Sequence, residues 1–211
     1  MRINKVLVFL VILSILTTVF VYNSLPEKIA TNFNFNGEIN DYSHRASVFI
    51  TAILPLIIYI LMTILPKIDP KKNSYLKHKK AYNIAKYFTV LFIIAVHWMI
   101  ILYSLGFNIN IGVFVRLFIG IMFIVIGNYM GQIRHNYFFG IRTPWTLANE
   151  IVWKKTHRVA SFSFMISGII FIASVFLNGV ATVIAFVAAM VVAMLYPIIY
   201  SYVEYKKISK A

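Results

Sequence analysis

The chain alternates long apolar runs with short polar breaks. Residues 6–22 form an uninterrupted apolar segment behind Arg2 and Lys5; at about 1.5 Å per helical residue it crosses most of a hydrocarbon core. Five more runs follow, at 46–65, 87–105, 113–130, 159–177 and 180–202, each of spanning length. The first run exits through Asn23, Ser24, Leu25 and Pro26, which lack the small-residue pattern of a cleavage site, so it is expected to persist as a span. Pro55 and Pro197 fall inside runs, where neighbouring helices satisfy the freed carbonyls. Asn178 and Gly179 mark a tight turn. The pattern predicts an all-α polytopic membrane protein with six transmembrane helices.

One stretch breaks this rhythm. Residues 127–158 are too polar to cross a bilayer and too apolar to lie free in solvent. Tyr137, Phe138, Phe139, Trp145 and Trp153 supply rings, and Arg134, Arg142, Lys154, Lys155 and Arg158 supply cations, a mixture suited to the headgroup layer. Gly131 and Gly140 are expected to take turn conformations closed to other residues. Thr143 followed by Pro144 reads as an N-cap with proline in the first turn, so a helix should begin at about residue 144. From there Trp145, Ala148, Val152 and Val159 share one face, and Glu150 stands four residues before Lys154 for an ion pair. The spacing predicts a short amphipathic helix lying in the interface between spans four and five.

Composition agrees: 61% of residues are hydrophobic and only 12% charged, with a mean hydropathy of +0.82, far more apolar than a soluble domain of this length. The net charge of +14 reflects topology and attraction to anionic membrane lipids rather than nucleic acid. All lysines and arginines except Lys28, Arg45 and Arg116 fall at the N-terminus, in 67–86, in 134–158 or after residue 205. Placing these segments inside gives cytoplasmic N- and C-termini. The segment 25–45, holding three of the six acids, Glu27, Glu38 and Asp41, then lies outside. The basic stretch with Lys71, Lys72, Lys77, Lys79 and Lys80, whose one acid is Asp69, is either a lipid-facing loop or a docking surface.

Candidate chemistry is sparse. There is no cysteine, hence no disulfide or thiolate site. His135, Glu150 and His157 could meet on the inner side and His44 lies near Glu38 and Asp41, but neither set has the spacing of a zinc helix. No catalytic residue, metal site or cofactor is assigned. His97 sits within a span, where a ring hydrogen-bonded to a neighbouring helix is the plain reading and a functional titratable group the sharper one. Arg116, close to the outer end of its span, is expected to snorkel to headgroups. A proton relay would need an embedded acid, and only Glu204, at an inner edge, comes near.

Residues 136–147, NYFFGIRTPWTL, followed by Asn149, Glu150 and the run WKKTHR at 153–158, resemble the SdpI family, bacterial membrane proteins that give immunity to the sporulation-delaying protein toxin. The likeness covers about the last ninety residues, with His135 where proline is usual and Ile151 where an acid is usual. Residues 25–45, LPEKIATNFNFNGEINDYSHR, are similar to the DUF1648 module at Leu25, Pro26, Ile29, Phe33, Asn34, Gly37 and Glu38. Ala30 replaces that module's proline and Asn32 its histidine, so no role of that histidine carries over.

The resemblance implies a DUF1648-like module at 1–65, a connecting segment at 66–112 and an SdpI-like module at 113–211, in a bacterial plasma membrane. It also implies immunity against a secreted toxic peptide, with a cytoplasmic winged-helix repressor as a further partner. On this chain Glu27, Phe33, Phe35, Glu38, Asp41 and Tyr42 would sense the peptide. The inner segment would respond through Arg134, Asn136, Tyr137, Phe138, Phe139, Gly140, Arg142, Thr143, Pro144, Trp145, Asn149, Glu150, Trp153, His157 and Arg158. The alternative is a membrane enzyme or small-solute transporter built on a pocket around Arg134, His135, Asn136, Arg142, Glu150 and His157.

Overall fold

The structure, a computed structural model, describes residues 4–34 and 37–210. The helices are α1 (Lys5–Val21), α2 (Val48–Ile68), α3 (Ser74–Lys77), α4 (Lys79–Ser104), α5 (Ile111–Met130), α6 (Pro144–Ala148), α7 (Glu150–Ala173), α8 (Val180–Met190) and α9 (Tyr196–Ser209); strands β1 (Lys28–Phe33) and β2 (Ile39–His44) stand between α1 and α2. Among the described residues, six helical segments are long and apolar enough to cross a membrane: Lys5–Ser24, Arg45–Ile68, Lys79–Ser104, Ile111–Met130, Glu150–Phe176 and Val180–Ser209. Their exposed faces carry large apolar side chains such as Phe20, Ile50, Phe162 and Phe176, as lipid-facing surfaces require. Hydroxyls within the helices donate back one turn, Thr63 to the Tyr59 carbonyl at 2.7 Å and Ser167 to that of Ser163 at 2.8 Å, so they are satisfied without water.

The chain forms two compact units, 1–63 with 86–115, and 64–85 with 116–211. In the first, the segment expected as an outer loop is an antiparallel hairpin, with Lys28 opposite His44 and Phe33 opposite Ile39, its register shifting near Asn32. Its turn is set by Asn34, which donates from Nδ2 to Glu38 at 2.7 Å and accepts from the Glu38 N–H at 2.9 Å, and by Gly37 at φ +88°. Leu25 and Ile29 anchor the hairpin in a core with Val48, Ile100 and Ile101. His97 is buried between Thr18, 2.8 Å from Nε2, and Thr51, 2.9 Å from Nδ1. That is the plain reading of the residue, with threonines from α1 and α2 as partners.

In the second unit, glycines let α5 and α7 approach closely. A Cβ on Gly168 would meet the Gly120 carbonyl at 2.5 Å, and one on Gly127 would meet the Ser161 carbonyl at 2.9 Å. Both pairs are spaced by seven residues, so one small-residue stripe faces another. Phe123 stacks on Phe164 at 5.0 Å and meets Phe171 edge-on at 5.4 Å. The last span holds a π-helical turn, Val191–Leu195, directly before Pro197. That turn accommodates the ring, which would otherwise clash one turn back. Arg116 does not snorkel: it is buried and donates to the Ser174 carbonyl at 2.8 Å and to Thr182 Oγ1 at 3.3 Å, because α7 ends within reach and leaves carbonyls to be satisfied.

Replacing Gly168 by Val forces side-chain atoms into the Gly120 backbone, and overpacking of this kind costs about 1–3 kcal/mol. G168V should lower the thermal midpoint of the detergent-solubilised protein clearly, whereas G131A, at a position where an added Cβ meets nothing within 4 Å, should leave it unchanged.

Candidate functional site

The segment between α5 and α6 has no helical ladder, so its backbone polar groups need other partners. Side chains supply them, Asn136 and Asp69 foremost. Asn136, fully buried, accepts at Oδ1 from the Phe138 N–H at 3.0 Å and the Phe139 N–H at 2.7 Å, and donates from Nδ2 to the carbonyls of Arg134 at 2.8 Å and Phe139 at 3.0 Å. Asp69, just beyond α2, accepts from the Lys71 N–H at 2.7 Å and, through its other oxygen, from the Tyr137 N–H at 2.9 Å. Tyr75 joins the two: its hydroxyl lies 3.0 Å from both Asp69 Oδ2 and Asn136 Oδ1. Burial and then the Asp69 carboxylate push the Tyr75 pKa up, so the phenol keeps the proton it shares.

Trp153 forms the floor of the site. Fully buried, it donates from Nε1 to the Ile133 carbonyl at 2.9 Å, with His157 stacked on it at 4.2 Å and His135 tilted against it at 4.9 Å. His157 Nδ1 donates to the Trp153 carbonyl at 2.9 Å, and Nε2 accepts from the Ile141 N–H at 3.1 Å, so both ring nitrogens are occupied structurally. Gly140, at φ +104°, passes so close that a Cβ would strike this ring. Glycine is therefore required twice over at this position. Gly131 has an ordinary φ, contrary to expectation, because the turn after α5 closes by 3.0 and 3.1 Å backbone bonds from Gln132 and Ile133 to Tyr129 and Met130.

His135 Nδ1 receives the Lys71 ammonium at 2.6 Å, and His78 Nδ1 accepts the Arg134 N–H at 3.2 Å. Burial, reinforced by the Lys71 cation, lowers the His135 pKa; burial and then the Arg134 guanidinium lower that of His78 to about 4. Both rings are thus neutral hydrogen-bond acceptors at neutral pH.

The predicted helix start is where the spacing put it: Thr143 caps α6 and exchanges a capping box with Thr146. The helix does not continue, however. It stops after Ala148, and Asn149, extended at φ −140°, caps α7 by accepting from the N–H groups of Ile151 and Val152 at 2.8 and 3.2 Å. Trp145 therefore belongs to a different helix from Val152 and Val159, packing on Tyr202 at 4.9 Å, and 150–158 are the first turns of a span. Glu150 meets Lys154 at 3.2 Å on an exposed surface, a pair that contributes little. Lys155 pairs with the largely buried Glu204. Arg142, exposed, donates to the Tyr137 carbonyl at 2.9 Å. Tyr137 and Phe138 are exposed, while Phe139 packs on Tyr82 at 4.9 Å.

In the basic stretch Lys71 is committed to His135, Lys80 lies over the Tyr129 ring at 5.5 Å, and Lys72, Lys77 and Lys79 are exposed. In the hairpin Glu27, Glu38, Asp41 and Tyr42 are exposed, but Phe33 turns inward against Tyr103 at 5.8 Å; Phe35 lies outside the described residues. The enzyme or transporter set is not assembled as a reacting cluster. Asn136 and His157 are spent on backbone groups, Glu150 faces solvent, and no three His, Asp or Glu among the described residues group to hold a metal. Asp69, Tyr75 and His78 were not foreseen as site residues. The available signal was a lone acid amid lysines.

These features define a polytopic helical membrane protein with a polar lock at one end of its C-terminal unit. Residues 132–201 match the SdpI/YfhL protein family and residues 9–63 the domain of unknown function DUF1648. The chain is 31% identical over 209 residues to the immunity protein SdpI of Bacillus subtilis (strain 168), covering 99% of each chain. It belongs to the SdpI/YfhL family, and is a multi-pass protein of the bacterial plasma membrane. No solved structure matches it.

Asn136→Ala strands the N–H groups of Phe138 and Phe139, at about 1–3 kcal/mol for each one left buried. Hydrogen exchange should show 131–143 opening first. The histidines give a pH signature: unfolded His78 titrates near the ordinary 6.5 and folded His78 near 4, so its contribution is complete above about pH 6.5 and is lost as pH falls towards 4. The thermal midpoint should drop between pH 7.5 and 5, and less steeply in H78Q.

Proposed function

We propose that this protein is a membrane immunity protein that protects its cell against a secreted toxic peptide of the sporulation-delaying type. The single observation that carries this is the 31% identity, over nearly the full length, with a protein named for immunity. The cation distribution supports cytoplasmic termini, with the 25–45 hairpin facing outward and 131–158 facing inward. On that orientation the hairpin presents Glu27, Glu38 and Asp41 with Tyr42 as an acidic, aromatic face to an incoming basic or amphipathic peptide. Phe33, packed on Tyr103, positions the hairpin rather than touching the peptide.

Recruitment of a winged-helix repressor is a second reading, supported by the exposed Lys72, Lys77 and Lys79 beside the lock. Two of the lock's members, Asp69 and Tyr75, come from the same connection as these lysines; Asp69 holds the Tyr137 N–H and the Tyr75 hydroxyl meets the Asn136 side chain. A change in one segment is therefore felt in the other. This coupling is the physical basis on which the inner segment would report the state of the spans.

Expression in a toxin-sensitive cell should restore growth under peptide challenge. E27Q/E38Q/D41N should reduce protection at equal surface level, while K72Q/K77Q/K79Q should keep survival but abolish membrane capture of the repressor. Unchanged sensitivity with verified surface expression overturns the reading. Because the chain has no cysteine, a single cysteine at Asn40 should react with an impermeant reagent added outside whole cells, and one at Lys207 should not.

A further inference from the structure

The cations Arg134, Lys154, Lys155 and Arg158 line one cavity of about 210 Å³, open beside Gly131. Sequence separates Arg134 from Arg158 by the whole 135–157 stretch; the fold brings them together because the Trp153 bond to Ile133 draws the segment after α5 against the first turns of α7. We infer that this cavity is a binding site for a phosphate group, carried by the headgroup of an anionic phospholipid.

Four like charges around one concavity repel each other unless an anion enters, and a concave wall focuses their field. The protein supplies only part of the compensation. Among the described residues Glu150 pairs with Lys154 and Glu204 with Lys155, and neither Arg134 nor Arg158 has a carboxylate partner. Both free groups are guanidinium forks, which match phosphate oxygens bidentately where an ammonium acts as a point charge. The volume falls below the 300–1,000 Å³ usual for a drug-sized ligand, so a headgroup or a small anion fits where a nucleotide does not. Its walls are the residues just past the end of one span, Met130, and in the first turns of another, Glu150–Phe176, the level at which a bilayer presents its phosphates.

The site is tied to the lock. The Arg134 N–H is held by His78, and its carbonyl is held by Asn136. A phosphate on the guanidinium therefore bears on the residue from which the 134–139 backbone is hung.

The test uses full-length protein in a neutral detergent, titrated with phosphatidylglycerol or phosphatidylcholine and read by native mass spectrometry. Wild type should retain phosphatidylglycerol preferentially. R134Q/R158Q should weaken that binding by roughly 10- to 30-fold, at about 1 kcal/mol per basic residue. K207Q/K210Q, equal in charge change, exposed and outside the cavity lining, should shift it less than about twofold. G131D, which places a carboxylate in open space at the rim without removing a cation, should also displace the lipid. Inorganic phosphate at matched ionic strength separates the sources. Competition by phosphate with no preference for phosphatidylglycerol identifies a free phosphate compound as the ligand, whereas lipid retention that resists phosphate identifies the headgroup. Undiminished phosphatidylglycerol binding by R134Q/R158Q and G131D, or equal loss in K207Q/K210Q, overturns the site and leaves only diffuse attraction.

Discussion

The constraint on which the C-terminal unit depends is that irregular backbone at the end of a span must find its hydrogen bonds in protein. Between α5 and α6 the chain solves this chiefly with one amide and one carboxylate, with His78, His157 and Trp153 taking further backbone groups. Asn136 is suited because it carries both acceptor and donor: Oδ1 closes two N–H groups while Nδ2 closes two carbonyls. Aspartate at the same place would leave the carbonyls facing an anion. Asp69 is suited for the opposite reason, since all three of its protein partners here, the N–H groups of Lys71 and Tyr137 and the Tyr75 hydroxyl, are donors. A buried carboxylate is tolerated only with such a set of charge-assisted bonds.

Helix packing makes this lock geometrically feasible. The Gly120, Gly127, Ser161 and Gly168 stripe brings α5 and α7 to backbone contact, and the Ser161 hydroxyl bonds the Gly127 carbonyl at 2.5 Å. The end of α5 and the start of α7 are then close enough for Trp153 to reach the Ile133 carbonyl. With the indole fixed, the two flanking imidazoles are held against it, His157 bonding the Trp153 carbonyl and the Ile141 N–H and His135 taking the Lys71 ammonium. The sequence from small-residue packing to indole anchor to histidine acceptors runs in one direction. Loosening the helix pair would release all of it, whereas loss of a single histidine would not separate the helices.

Spans were legible because a bilayer permits one solution for a long apolar run, and the Thr143 cap was legible because capping is local. What escaped was non-local. Asn149 interrupts a run whose apolar spacing continues across it, since the bonds it makes to Ile151 and Val152 compete with helix continuation by a margin periodicity does not measure. The hairpin was hidden because its strands are short and only Leu25, Ile29 and Ala30 are buried near its base, leaving little alternation to see. Arg116 was misplaced because snorkelling depends only on a residue's depth along its own helix, whereas its partners here are Ser174 and Thr182. Asp69 was visible as an anomaly, but the segment it holds, through the Tyr137 N–H, lies more than sixty positions away.

Charge shows how the two kinds of information divide. The rule that sorts basic segments to one side of a membrane counts cations and is indifferent to where on that side each one ends up. The fold then spends some of them: Lys71 on an imidazole, Lys80 on the face of a tyrosine, Lys154 and Lys155 on acids. Each of these is engaged by a partner, and the last two by a carboxylate. Topology needs no particular lysine to be free, so the guanidiniums left over after this pairing are not accounted for by sidedness. Arg142 is held by the Tyr137 carbonyl, a structural use. Arg134 and Arg158, gathered into one concavity, carry charge that neither topology nor packing consumes, and a surface that concentrates such charge at the level of the span ends is shaped by what meets it there.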